Sequence, residues 1–418
     1  MPAITLGEEM ELTKLAVVVG VFSIFPMVAF AAAFKCDMKG LNVTERTICN
    51  NPSLSGIDDI ANKKYISKIN DSLNVGTLKR QQLEWLEQRN KCGENTSCIE
   101  NSYNNRYREL TYMPSFSSVS EVFSELDKPL KYGLVNKYGF TISDKQWRIR
   151  PLVKEYDLNR EFGIPLLAED VFYWKILTHF IVKHDLVLLY IVKTDDSVFL
   201  MKNTDGKNSI LAKYSRGDSD VDVYLKGRSD SLTTYAVSSG DSEDIYEINN
   251  IDGQITAPKF IKHEMNEQSD AHVWKGYCGD SLCVSKVISP DNKWRIASPD
   301  LGQTNVDEGV YYFPANRPDL GINVFLPQAE EERDDWGYER NYTWGGSDDF
   351  YFDNQGGLAC IWKANLKNKT TQRILPIEGM VEPYYISYNG ESFIIAKYID
   401  NSGNREHEIK YGFYIAKE

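Results

Sequence analysis

The cysteines carry most of the potential chemistry in this sequence. There are seven, and six fall into short-range pairs: Cys36 with Cys49, Cys92 with Cys98, and Cys278 with Cys283. Thiols this close either oxidise to disulfides or share a zinc ion. No C-x2-C pair exists, which argues against zinc. The six are therefore read as disulfide candidates, and the leftover Cys360 as a buried thiol. The first four cysteines allow three pairings; proximity favours Cys36–Cys49 and Cys92–Cys98.

Other residues offer less. Trp85, Arg89 and Tyr103 could form a binding face, but a core of two rings with the Arg89 stem packed over them is the simpler reading. The stretch Asp218-Ser-Asp-Val-Asp222 resembles the start of a calcium loop, yet lacks the Gly and the closing Glu. His179 and His184 are five apart, off one helical face, and His407-Glu408 falls in a predicted edge strand. There is no G-x-S-x-G elbow, H-E-x-x-H, phosphate-binding loop or G-x-G-x-x-G. A pair of glycosidase carboxylates needs only proximity in space, which spacing does not reveal. The reading names no catalytic residue, cofactor or metal, and a non-enzyme is expected.

Two regions must position these residues. In 34–112 the pattern is helical. Leu54, Ile57, Ala61, Tyr65, Ile69 and Leu73 recur at steps of three and four, one face of a helix. Thr44 is expected to cap a short helix over 45–50, and Thr77 to begin a helix that ends near Gly93. Ser97-Cys-Ile-Glu100 has the form of a capping box, with Ile99, Tyr103, Tyr107 and Leu110 following. Residues 113–120 read as a turn-rich linker. Beyond them, 121–418 reads as short strands, with helical pattern only near 119–130 and 166–180. Strands are predicted at 186–192, 198–202, 233–237, 245–248, 350–352, 358–364, 393–398 and 411–415. Turn signals separate them, among them Asp205-Gly206, Asp252-Gly253, Asp291-Asn292 and Asn389-Gly390. The echo of Ser143-Asp-Lys-Gln-Trp-Arg-Ile149 in Ser289-Pro-Asp-Asn-Lys-Trp-Arg-Ile296 hints at a repeat. The fold class is thus multidomain: a small all-α disulfide-bonded domain, then an all-β domain. A β-propeller is the first choice for the latter, with room for about seven blades at roughly 40–45 residues each; a sandwich or barrel is the alternative.

Residues 1–33 read as a signal peptide. Lys14 precedes an apolar run over 15–33, broken at Pro26 and ending in Ala29-Phe-Ala-Ala-Ala33. An uncleaved anchor helix is the competing reading, since that run can just span a bilayer. No membrane anchor is expected after cleavage, and the address is periplasmic or secreted. The 418 residues hold 47 Lys plus Arg against 60 Asp plus Glu, a net charge of -13. That excludes an ordinary nucleic-acid binder, which needs surplus cation. Residues 34–112 are slightly basic, so the acidity belongs to the second region.

The stretches Phe34-Lys-Cys36, Thr44-Glu-Arg-Thr-Ile-Cys49, Leu54-Ser-Gly-Ile-Asp58, Gln82-Leu-Glu-Trp-Leu-Glu-Gln-Arg89-Asn-Lys-Cys92 and Cys98-Ile, with Tyr103, Arg106 and Leu110, resemble the lysozyme-inhibitor LprI-like N-terminal domain family. The resemblance covers under a fifth of the chain. It implies an exported, disulfide-stapled helical domain and, as a partner, lysozyme or a related cell-wall hydrolase. It supplies no inhibitory residues to carry over. Lys35 stands before Cys36 where a lipoprotein would carry a small residue, so Cys36 is a disulfide partner and not a lipid site. Lysozymes are usually basic, and acidic stretches such as Asp218 to Asp222, Asp241 to Asp244, Glu330 to Asp335 and Asp348-Asp349 would attract one. The expected function is a non-enzymatic binding protein; the alternative is a periplasmic hydrolase with its site on the β-rich domain.

Overall fold

The structure, a computed structural model, describes residues 34–123, 134–135, 139–164, 174–204, 206–216, 221–251, 254–265, 289–297, 310–314, 322–325, 342–354, 360–377, 379–399 and 412–418. The expected signal peptide, Cys278, Cys283 and His407 lie outside these residues.

Four helices come first: α1 (Val43–Asn50), α2 (Pro52–Asp71), α3 (Val75–Asn90) and α4 (Thr96–Tyr112). Asparagines cap three of them. Asn42 forms a reciprocal box with Glu45, Asn51 accepts from Ser53 and Leu54, and Asn95 accepts from Cys98. Thr44 and Ser97, the caps expected from the sequence, do not cap. The capping asparagines, Asn42 and Asn95, each sit two positions earlier, where the backbone is still extended and the side chain can reach the first free N–H groups. Thr44 turns inward and donates to Asn90 O at 2.9 Å. Ile48, Leu54, Ala61, Ile99 and Tyr103 form the core, and disulfides Cys36–Cys49 and Cys92–Cys98 close it.

The segment expected to be a linker is packed. Phe116 and Val119 are buried, and Ser117 and Ile149 exchange both backbone hydrogen bonds at 2.9 and 2.8 Å. Two apolar side chains among the turn residues draw it inward. It runs into α5 (Val119–Val122), followed by β1 (Leu134–Val135), β2 (Thr141–Asp144), β3 (Arg148–Lys154) and α6 (Glu155–Phe162).

Five sheets follow among the described residues, antiparallel except for one parallel pair in the fourth. The first is the meander β4 (Trp174–Val182), β5 (Asp185–Lys193), β6 (Ser197–Thr204) and β7 (Lys207–Ser215). The second holds β8 (Val221–Arg228), β9 (Leu232–Ser239) and β10 (Ser242–Ile251), with β11 (Gln254–Ile255) and β12 (Lys259–Met265) both paired to β10. The third is β13 (Trp294–Ala297), β14 (Val310–Pro314) and β15 (Ile322–Phe325). The fourth is β16 (Tyr342–Trp344), β17 (Asp349–Asn354), β18 (Cys360–Asn365) and β19 (Thr370–Leu375), extended by β2, parallel to β19, and then β1. The fifth is β20 (Met380–Tyr388), β21 (Glu391–Tyr398) and β22 (Gly412–Lys417), and its last strand is β3, from before the first sheet.

The sheets pack face to face. In β5, Leu188, Tyr190 and Val192 meet Ile386, Ile395 and Phe413 of the fifth sheet. The alternate residues Val187, Leu189 and Ile191 meet Val223 and Tyr235 of the second. A strand buried on both faces reads as an unbroken apolar run, which is why 186–192 was legible as a strand. The fourth and fifth sheets share Tyr351, Ile361, Ile394 and Ala396. The helical pattern read over 166–180 is corrected: 174–182 is β4, because pairing with β5 overrides an ambiguous period.

The helical unit and the β region share one core. Leu73, in the middle of the α2–α3 connection, packs among Leu186, Tyr388 and Phe393. Leu186 N donates to Leu73 O at 2.8 Å and Gly76 N to His184 O at 3.1 Å. A Cβ on Gly76 would lie 1.9 Å from Lys183 O, so this contact requires glycine. Asp185 accepts from Thr77 N at 2.9 Å and from Thr77 Oγ1 at 2.6 Å. A carboxylate from the β4–β5 hairpin thus caps α3, which is why α3 starts at Val75 and not at Thr77.

Candidate functional site

The motif residues of the helical unit face inward. Arg89, only 2% exposed, donates to Tyr103 Oη at 2.7 Å, and Tyr103 donates to Asp58 Oδ1 at 2.5 Å. Arg89 also lies 3.7 Å from both Asp58 and Glu45. Its guanidinium sits 5.5 Å from the Trp85 ring and 5.7 Å from the Tyr103 ring. Burial pushes the Tyr103 phenol up, Arg89 opposing it, so the hydroxyl keeps its proton and donates. A guanidinium buried among two carboxylates and a phenol holds four helices together. It is a structural network, and the binding-face reading of Trp85, Arg89 and Tyr103 is set aside.

A second polar cluster joins three sheets at their first strands. His179 lies on β4, Arg228 ends β8 and Tyr384 lies on β20. His179 Nδ1 is 3.0 Å from Tyr384 Oη. Arg228 Nη2 is 3.1 Å from His179 Nε2, and Nη1 is 3.3 Å from Nδ1 and 3.5 Å from Tyr384 Oη. The imidazole is 9% exposed. Burial, with the Arg228 cation beside it, pushes its pKa down to about 3. His179 is therefore neutral near pH 7, with one N–H and one lone pair. A guanidinium only donates, and it faces both ring nitrogens, Nε2 at 3.1 Å and Nδ1 at 3.3 Å, so the acceptor is assigned to the shorter contact. Nε2 carries the lone pair, and Nδ1 carries the proton and donates to Tyr384 Oη. Burial likewise pushes the Tyr384 phenol up, leaving its proton in place. Arg228 is exposed, and among the described residues no carboxylate comes within 4.0 Å of it.

A third tie crosses the sheets nearby. Lys397, on β21 and wholly buried, donates to Trp174 O at 3.3 Å and pairs with Glu382, whose N–H donates to Asp353 Oδ2 at 2.6 Å.

The remaining sequence candidates are scattered. His184 sits in the β4–β5 turn, where Lys183 and His184 take φ of 49° and 64°; a left-handed turn without Gly or Asn gives no sequence signal. Cys360 is a buried thiol, pushed up by burial. Of the calcium-like stretch only 221 and 222 are described, and Asp222 lies 3.5 Å from Lys193. Among the described residues no three His, Cys, Asp or Glu cluster as metal ligands. The acidic stretches are partly neutralised within the fold: Glu243 is buried against Lys226 and Tyr224, Asp244 pairs with His263 at 2.7 Å, and Asp349 with Lys363 at 3.3 Å. Glu330 to Asp335 lie outside the described residues. His179, Arg228 and Tyr384 were not grouped in advance. They come together only through packing of sheets far apart in sequence, and 166–180 had been read as helix.

The chain matches no known family model and no curated protein. Among solved structures it has a faint likeness to the PQQ-bound form of an aldose sugar dehydrogenase from Streptomyces coelicolor. That match is 10% identical, covers 64% of this chain and 96% of the other, and has a TM-score of 0.31. Oligopeptidase B from Leishmania major is 11% identical over 53% of this chain and 30% of its own, with a TM-score of 0.19. A prolyl endopeptidase is 10% identical over 61% and 42%, with a TM-score of 0.25. Likeness at this level identifies neither a fold family nor an activity.

Proposed function

We propose that this chain is an exported, non-enzymatic binding protein in which a disulfide-stapled helical unit is presented by a β-propeller. The observation that carries the reading is the docking of α3. Leu73, Gly76 and Asp185 fix the helical unit in one orientation, so its outer surface is offered already ordered, which lowers the entropic cost of binding. That surface holds Ile60, Ile66, Tyr107 and Tyr112, each at least 41% exposed. Two disulfides favour an oxidising compartment, the periplasm or outside the cell. No described helix is long and apolar enough to cross a membrane. The propeller reading is supported by successive, mostly antiparallel sheets, by the meeting of three first strands, and by β3 completing the fifth sheet.

The partner class, lysozyme or a related cell-wall hydrolase, comes from the resemblance in residues 34–112. The test is inhibition of a c-type lysozyme by the mature chain at micromolar concentration. Inhibition that weakens in Ile66→Asp or Tyr112→Ala supports the reading, and no inhibition removes this partner. A periplasmic hydrolase is the second reading, favoured by the polar cluster on the β region. Against it, the one imidazole there has its lone pair occupied by Arg228 and a pKa too low for a general base near neutrality.

A further inference from the structure

We infer that Arg228, Tyr384 and His179 form a receiving site for a single carboxylate where the first strands of three sheets meet. The inference rests on reading the β region as a binding body, and stands apart from the identity of the protein partner.

The donors come first. Arg228 ends β8, where its guanidinium is exposed while Nη1 and Nη2 lie over the imidazole. Three of its five N–H groups are left for another acceptor once the contacts to His179 and Tyr384 are allowed for. Tyr384 Oη accepts from His179 Nδ1 and also has Thr178 beside it, so its proton can turn to a ligand as a second, weaker donor by leaving Thr178. His179 fixes both: it accepts from the cation and donates to the phenol, holding two side chains from different sheets about one point. A neutral imidazole suits that task. A charged one would repel Arg228 and compete for the anion.

Charge decides the ligand. The exposed cation has no carboxylate partner among the described residues, unlike Arg89, Arg106, Arg160 and Arg373, each paired with an acid. One cation and one neutral donor balance a monoanion. A phosphate dianion would bring a second negative charge to a chain of net charge -13. The planar fork of a guanidinium also matches the two oxygens of a carboxylate. The class is therefore a carboxylate-bearing ligand, such as a peptide terminus or a sugar acid.

The experiment titrates the mature full chain with N-acetylalanine, glucuronate, N-acetylalanine amide and inorganic phosphate. Binding is followed by calorimetry and by the NMR signals of His179. Saturable binding of at least one carboxylate is expected, with neither the amide nor phosphate binding. The affinity should fall about tenfold or more in Arg228→Gln, as expected for a lost charged hydrogen bond, and a few-fold in Tyr384→Phe. Bound carboxylate offsets the cation beside His179, so the imidazole pKa should rise on binding. Circular dichroism confirms that both variants fold. Absence of saturable carboxylate binding, equal binding in Arg228→Gln, or preference for phosphate each overturns the inference. None of these outcomes bears on lysozyme inhibition, which is measured separately.

Discussion

Replacing Asp185 by alanine tests the joint between the two regions. The carboxylate accepts from Thr77 N and Thr77 Oγ1 at 2.9 and 2.6 Å, at the start of α3, and the residue is buried. Each hydrogen bond to a charged group contributes about 1.5–3 kcal/mol. Water reaching the vacated cap returns part of this, so a net loss of about 2–4 kcal/mol is expected. Arg80, 3.8 Å away and with its side chain 56% exposed, adds little; Arg80→Ala should cost no more than about 0.5 kcal/mol. The assay is urea unfolding of the wild type, Asp185→Ala, Thr77→Ala and the double variant. A coupling energy of about 1 kcal/mol or more between Asp185 and Thr77 is expected, since they share one contact. Additive effects, or an Asp185→Ala loss under about 0.5 kcal/mol, would refute the capping argument.

Three further outcomes follow from the same reasoning. Tyr103→Phe removes the hydroxyl between Arg89 and Asp58 and should cost about 1–3 kcal/mol in urea unfolding; a neutral change would show that the two charges are satisfied without it. His179 is neutral when folded, its pKa down to about 3 against an ordinary 6.5. The unfolded chain therefore binds the proton more tightly, and stability present above about pH 6.5 is lost as pH falls towards 3, by about 1.4 kcal/mol per pH unit. Unfolding of the wild type and His179→Gln at pH 7, 5 and 4 isolates this loss, and parallel pH profiles would contradict it. Replacing Cys36 and Cys49 by serine should cost about 3 kcal/mol, more than the same change at Cys92 and Cys98, because the sequence separations are 13 and 6. Equal losses, read from thermal melts, would mean that loop entropy is not what the bridges supply.

Local signals carried much of the fold. The steps from Leu54 to Leu73 gave α2, the apolar run in 186–192 gave β5, and Asn389-Gly390 gave the β20–β21 turn, where φ is 51° and 77°. Nearest neighbours in sequence also gave the two N-terminal disulfides. What failed depends on distant partners. The start of α3 is set by Asp185, the packing of 113–120 by Ile149, and the strand at 174–182 by β5. The polar cluster was illegible for the same reason, since no pattern ties residue 179 to residues 228 and 384. Among the described residues there are five sheets; the room for about seven blades is reckoned over the whole of 121–418.

The pairing of β3 with β22 has a consequence for biogenesis. The outer strand of the fifth sheet is made early and its neighbour late. Until that neighbour arrives, β3 offers a bare row of amides and carbonyls to any passing chain. Closure entropy grows only slowly with the intervening length, so the finished molecule loses little by this arrangement. The delay falls on the nascent polypeptide, and a circular permutant opened between β3 and β4 would escape it.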